Sequence, residues 1–175
     1  MTDIYTVLDQ HQIPYARVDH PPVYTCEEAE RLVPPLPGVH TKNLFLRDSK
    51  GKRHFLVVVG WEKQVDLKAL AAVLRVGKLG MASPERLRKY LDVEPGAVTV
   101  LGIVNDQQHA VEVIIDTPLW QAPALHCHPL VNTATLAIAC EDLERLFLAC
   151  GTPYRLVNVP SRKEDTLQSG GEMTP

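Results

Sequence analysis

His126-Cys127-His128-Pro129-Leu130-Val131-Asn132-Thr133-Ala134-Thr135-Leu136-Ala137-Ile138-Ala139 sets two histidines, an asparagine and two threonines between apolar flanks. The flanks read as strands, Ala124-Leu125 leading in and Leu136-Ala137-Ile138-Ala139 leading out. Pro129 lacks a backbone N–H and fixes its own φ, so a hydrogen-bonded ladder breaks there. Asn and Thr suit the break because their side chains bond nearby backbone groups. The stretch is therefore a strand, a polar loop and a second strand, with hydrogen-bonding groups displayed at the junction. Ordinary turn chemistry and a functional site both fit that description.

Upstream, Thr41-Lys42-Asn43-Leu44-Phe45-Leu46-Arg47-Asp48 and His54-Phe55-Leu56-Val57-Val58-Val59-Gly60 flank a polar turn containing Gly51. Two apolar runs around such a turn make a β-hairpin. The second run is apolar on both faces, which predicts a central strand buried on both sides. Ala110 to Asp116 reads as another strand, and Tyr15 to Val18, Leu79 to Ala82 and Tyr154 to Val157 as short ones. Pro95-Gly96 turns into the apolar run Ala97 to Val104, read as a strand ending at the Asn105-Asp106 turn.

Helices fall between these runs. Residues 2–12 carry Ile4, Val7, Leu8 and His11 at helical spacing. Thr25-Cys26-Glu27-Glu28 is a capping box. Asp66 caps a helix with Leu67, Leu70, Ala71, Val73 and Leu74 on one face. Ser83-Pro84-Glu85 opens another that turns Leu87, Tyr90 and Leu91 inward. Glu141-Asp142 starts a last helix stopped at Gly151. Strands clustered mid-chain with helices spread irregularly favour an α+β fold around a mixed, curved sheet. Residues 1–160 read as one domain and 161–175 as a polar, disordered tail.

At 175 residues the chain can bury a substantial core, and its 45% hydrophobic and 22% charged content is that of a globular protein. A net charge of −3 argues against a general nucleic-acid coat, though not against a local basic patch that grips one RNA end. No apolar run approaches the roughly 20 residues of a membrane span. Met1-Thr2-Asp3-Ile4 has no basic-then-apolar pattern, so the expectation is no signal peptide and a cytoplasmic location. The four cysteines form no C-x-x-C pair and read as free thiols. His126 and His128, two apart, share a strand face and are a conceivable metal pair, but no third ligand stands at a recognisable spacing.

Four pieces, in this order and at these separations, carry a resemblance. They are Lys42-Asn43-Leu44-Phe45-Leu46, Gly96 through Gly102 with Asn105-Asp106, the strand before Asp116, and His128 through Thr135. Over about Thr2 to Val157 the chain resembles the YbaK-like aminoacyl-tRNA editing family, free-standing relatives of the editing domain of bacterial prolyl-tRNA synthetases. The resemblance implies a barrel-like curved sheet surrounded by helices, with a pocket for the 3′-terminal adenosine and its aminoacyl group. It implies hydrolysis of an aminoacyl ester with no cofactor and no metal. The branch most similar removes alanine from mischarged proline tRNA; a cysteine-selective relative, and a non-catalytic aminoacyl- or nucleotide-binding module, are the alternatives. Implied partners are the 3′ end of mischarged proline tRNA and a prolyl-tRNA synthetase, with no DNA and no membrane; monomer or dimer stays open.

Residue by residue, the resemblance implies that Lys42 contacts the ester or terminal nucleotide and that His128 bonds the ester or ribose. Gly96 to Val100, with Gly102, occupies the place of the family's G-x-x-x-P loop beside the adenosine; Val100 stands where Pro is usual. Asn132, Thr133 and Thr135 either line the pocket or hold the loop, and His126 is read as structural. Ile13, Val33, Leu44 and Val131 are the candidates for sizing the pocket. Lys50-Gly51-Lys52-Arg53 and Arg86, Arg88 and Lys89 are candidate phosphate contacts.

Overall fold

A computed structural model describes residues 2–162. Its organising element is the hairpin of β2 (Thr41–Asp48) and β3 (His54–Gly60), paired in regular antiparallel register from Thr41 opposite Gly60 to Arg47 opposite His54. Asp48 closes the turn by accepting from the backbone N–H groups of Lys52 and Arg53. β3 is buried along nearly its whole length because both sheet faces are covered. Leu56 and Val58 enter one core with Leu136, Ile138, Leu143 and Phe147, while Phe55, Val57 and Val59 enter a second with Leu70 and Leu74.

The large sheet has the order β4-β2-β3-β5-β8, with β4 (Leu79–Met81), β5 (Val111–Asp116) and β8 (Tyr154–Val157). β5 runs parallel to β3 and β8 parallel to β5, so the sheet is mixed. A second, antiparallel sheet has the order β1-β7-β6, from β1 (Ala16–Asp19), β6 (Ala124–Cys127) and β7 (Ala134–Ala139). The two are stitched together by a parallel bridge between Val39 and Leu125. The α+β class and mixed sheet follow the reading above, with the curvature resolved into two joined sheets.

Among the described residues five helices cover these sheets: α1 (Ile4–Gln10), α2 (Cys26–Leu32), α3 (Leu67–Leu74), α4 (Pro84–Leu91) and α5 (Cys140–Cys150). Thr25, Asp66 and Ser83 cap the N-termini of α2, α3 and α4, each accepting a backbone N–H three residues on. Gly151 ends α5 at φ 67°, a conformation glycine adopts without a Cβ penalty. Val73, assigned to the inward face of α3, is instead 48% exposed.

One assignment is corrected. The run from Ala97 to Val104 forms no strand but two short 3-10 turns, Pro95–Ala97 and Val100–Asn105. Thr99 caps the second by accepting from Leu101 N–H, and the turn closes its own backbone through Gly102 N–H to Thr99 O. At the C-terminal end Ser161 bridges Val65 and Arg162 N–H donates to Gln64 O, while the remainder of the expected tail, residues 163–175, lies outside the described residues.

Asp116, 3% exposed at the end of β5, anchors that returning segment. One carboxylate oxygen pairs with Lys63 at 2.7 Å and the other accepts from Val159 N–H at 3.0 Å. Removing the buried carboxylate leaves the buried Val159 N–H without its acceptor and the partly exposed Lys63 without its partner. Asp116→Ala is therefore expected to lower unfolding free energy by about 3 kcal/mol, read from the midpoint of urea denaturation.

Candidate functional site

A cavity of about 360 Å3 opens between the two sheets, beneath α2 and beside α4. Its wall brings together Lys42 and Asn43 of β2, Gly96, His126, His128 and Thr135. In sequence these span more than half the chain; the sheet junction joins them.

His128 leaves β6 just past Cys127 and lies half-buried. Its Nδ1 faces Ala134 O at 3.4 Å. A carbonyl oxygen only accepts, so Nδ1 carries the proton and the neutral ring keeps a lone pair on Nε2. Desolvation pushes this imidazole below its ordinary value, against a smaller opposing effect of the Ala134 carbonyl. The side chain is thus held neutral with an acceptor nitrogen available.

Lys42 borders the cavity and forms no ion pair or hydrogen bond with any described residue. Strand alternation sets Asn43 and Phe45 toward the cavity side and Lys42 on the other face with Leu44 and Leu46, so Lys42 borders the cavity at its edge, at the start of the strand. Asn43 was quoted within the motif but not singled out. Its Oδ1 is buried with no hydrogen-bond partner among the described residues, which marks an acceptor held in reserve. A polar residue two positions from Phe45 in an apolar strand was the available signal.

Gly96 stands where close approach matters. A Cβ there would come 2.9 Å from the Tyr24 ring and 3.1 Å from Asn132 Nδ2. Only glycine lets these groups close over the loop. Asn132 itself donates to Val23 O at 3.4 Å, so it ties the loop to the segment before α2 rather than lining the wall. Thr135 does line the wall, 4% exposed, with its hydroxyl 2.8 Å from His20 Nε2.

Two further expected site residues lie elsewhere. Val100 is 3% exposed and Gly102 packs its backbone against Leu91, both inside the core and off the cavity wall. Formation of the 3-10 turn in place of a strand folds them inward. Of the proposed sizing residues only Val33 lines the cavity. Ile13 is buried in the main core, Leu44 packs into the second core, and Val131 is 48% exposed.

His126 turns out to be fully committed on one side. Its Nε2 lies 3.1 Å from both Leu36 O and Pro37 O, so it donates, while the buried Nδ1 has no partner among the described residues. His40 packs edge-on against it at 4.6 Å, its imidazole pushed down by burial and then by the neighbouring histidines. Among the described residues no group of three His, Cys, Asp or Glu is placed to hold a metal ion.

The two basic segments separated by some thirty residues converge. Arg86 donates to Gly51 O at 3.2 Å and lies 2.8 Å from His54 Nε2. Arg53 is engaged by Glu112 and Arg88 by Glu94, both through paired hydrogen bonds. Lys50, Lys52 and Lys89 are exposed and form no ion pair with a described residue. α4, which carries Lys89, also supplies Pro84 and Leu87 to the cavity wall.

The chain is 40% identical over 152 residues to the prolyl-tRNA editing protein ProX of Acetoanaerobium sticklandii, covering 87% of this chain and 93% of that one. It is 38% identical over 130 residues to the prolyl-tRNA synthetase associated domain-containing protein 1 of Danio rerio, covering 73% and 70%. The fold matches the crystal structure of a candidate trans-editing enzyme for prolyl-tRNA synthetase with a TM-score of 0.64, at 18% identity over 88% of this chain and 93% of that one. Residues 20–146 match the family model of the aminoacyl-tRNA editing domain, and the chain belongs to that family.

Proposed function

We propose that this protein is a cytoplasmic trans-editing hydrolase that deacylates mischarged proline tRNA, foremost Ala-tRNA(Pro), by ester hydrolysis without a cofactor. The observation that supports this reading is the convergence of Lys42, Asn43, His128 and Thr135 on one cavity in a chain of the aminoacyl-tRNA editing family. The prolyl-tRNA editing protein ProX, similar over nearly its full length, adds the proline system.

An aminoacyl ester is already activated, so the catalytic task is to orient it and stabilise the oxyanion that forms when water adds to the carbonyl. The Lys42 ammonium supplies the positive charge for that oxyanion. His128, neutral with a lone pair on Nε2, accepts a hydrogen bond from a ribose hydroxyl or the attacking water. Val33, Ala29 and Phe45 bound the apolar part of the wall. Such a wall excludes a larger side chain by clash, since a single methylene yields only about 1–3 kcal/mol of discrimination. The 3′ end enters here, and Lys50, Lys52 and Lys89 meet the phosphates of the acceptor stem.

Deacylation of Ala-, Cys- and Pro-charged proline tRNA, followed against buffer with chelator present, tests this directly. The alanyl ester is expected to be cleaved selectively, and Lys42→Ala to lower its kcat by at least about 100-fold, the cost of one lost oxyanion partner. Preference for the cysteinyl ester would move the specificity; cleavage of no ester faster than in buffer would end the enzyme reading. With the alanyl ester, kcat should hold level from neutral pH to about 6.5 and fall only below it, where the depressed His128 finally takes up a proton. A limb centred above that value would remove His128 from the role. Reversing Lys50, Lys52 and Lys89 to Glu should weaken tRNA binding and reduce the salt slope by about two to three, with cleavage of a short aminoacylated 3′ fragment preserved.

A further inference from the structure

Behind the cavity wall lies a histidine that the proposed mechanism does not use. His20 directly follows β1, and its N–H donates to Thr133 O at 3.0 Å, continuing the β1–β7 pairing by one more bond. That extension lays the imidazole over Thr135, which sits 115 residues away in sequence. The ring is only 8% exposed. Its Nδ1 is 2.8 Å from Pro21 O, and its Nε2 is 2.8 Å from Thr135 Oγ1.

The directions of these bonds follow from the groups themselves. Pro21 O only accepts, so Nδ1 bears the hydrogen; in the neutral ring Nε2 then only accepts, so the Thr135 hydroxyl donates to it. A threonine hydroxyl has one hydrogen and two lone pairs. Once its hydrogen is spent on His20, what remains for a ligand is acceptor capacity alone. A free hydroxyl would rotate to donate or accept as each ligand required; this one is set.

We infer that His20 is a positioning residue that fixes Thr135 as an obligate hydrogen-bond acceptor in the cavity wall, so that Thr135 selects a substrate N–H or O–H. The inference rests on the proposed editing reaction and deepens it. An aminoacyl ester of ribose offers such donors in its α-ammonium group and in the hydroxyl beside the ester. The donor is present in the bound substrate as well as in the transition state, so the bond contributes to binding throughout. A rival use of the same geometry is nucleophilic: Thr135 would lose its hydrogen to His20, attack the ester carbonyl, release the ribose oxygen and carry the acyl group until water removes it.

The test compares wild type with Thr135→Val, Thr135→Ser, His20→Asn, His20→Gln and the His20→Asn/Thr135→Val double variant, in steady-state deacylation of the alanyl ester. His20→Asn places an amide near the Nδ1 position, keeping the Pro21 bond while leaving Thr135 untethered. His20→Gln reaches the Nε2 position. Losing one neutral hydrogen bond corresponds to about a tenfold effect. Thr135→Val and His20→Asn are each expected to raise KM about tenfold with kcat nearly held, and the double variant to be no worse than Thr135→Val. Thr135→Ser and His20→Gln should restore most of the loss. Circular dichroism melting confirms that each variant compared is folded. With wild type active, the inference is overturned if His20→Asn matches wild type, if the two losses multiply, or if the loss falls on kcat alone. It is also overturned, in favour of the nucleophile, if Thr135→Val abolishes turnover and wild type shows an acyl-enzyme burst that Thr135→Val lacks. Inactive wild type would instead overturn the editing reading itself.

Discussion

Three hydrogen bonds at the sheet junction hold the site together. Val39 N–H donates to Ala124 O, His126 N–H donates to Val39 O, and the Thr41 hydroxyl donates to His126 O at 2.6 Å. Each contributes only about 1 kcal/mol net, but their position matters more than their sum. They lock the start of β2, with Lys42 and Asn43, against the end of β6, from which His128 and the loop to Thr135 depart. If that seam opened, the cavity between the sheets would lose its shape, along with the edge of the core they share. The seam is therefore the point at which folding becomes function.

Several imidazoles gather at the same seam. His20, His126 and His128 each face a main-chain carbonyl, which fixes one ring nitrogen as a donor. Burial then weighs against protonation of His40 and His128, and the neighbouring histidines weigh against it further. The resulting wall is rich in oriented acceptors, and on the proposed reading Lys42 brings the cation. That division of labour suits a ligand with several N–H or O–H donors and one carbonyl that becomes negative as it reacts.

The parts of this arrangement that were legible in the sequence are those set by local rules. The β2–β3 hairpin announced itself by two apolar runs around a turn, and three helix starts by Thr25, Asp66 and Ser83. The run from Ala97 to Val104 misled because a fully buried segment is apolar at every position, so periodicity cannot separate strand from helical turn. What decided it was tertiary: Gly102 packs on Leu91, and Thr99 caps the turn. That turn took Val100 and Gly102 out of the site. The resemblance to the editing family pointed to His128, Lys42, Gly96 and Thr135, which border one cavity. His20 carried no local signal at all, because its meaning depends on a strand pairing with residues more than a hundred positions away. Ile13 and Leu44 looked like pocket residues for the converse reason, since hydrophobicity marks burial but not which cavity or core a side chain enters.

The wall also constrains what can attack the ester. Cys127 is the natural suspect, a thiol on the cavity wall beside His128. Yet it is only 4% exposed, and desolvation pushes its thiol up to about 12, leaving essentially no thiolate at neutral pH. Among the threonine hydroxyls of the cavity, Thr41 spends its hydrogen on His126 O, and Thr25 caps α2 and turns its own hydrogen to the Glu28 carboxylate at 3.4 Å. Thr135 has an imidazole beside it, but its oxygen sits on a β-strand within a fixed ladder and barely reaches the surface. A nucleophile must approach the carbonyl along a defined trajectory, and a side chain this confined leaves the movement to the substrate. Water, small and oriented by acceptors already in place, meets the requirement with less rearrangement. On the proposed reading, the fold contributes to catalysis a preset pattern of lone pairs around one charge, rather than a reactive side chain.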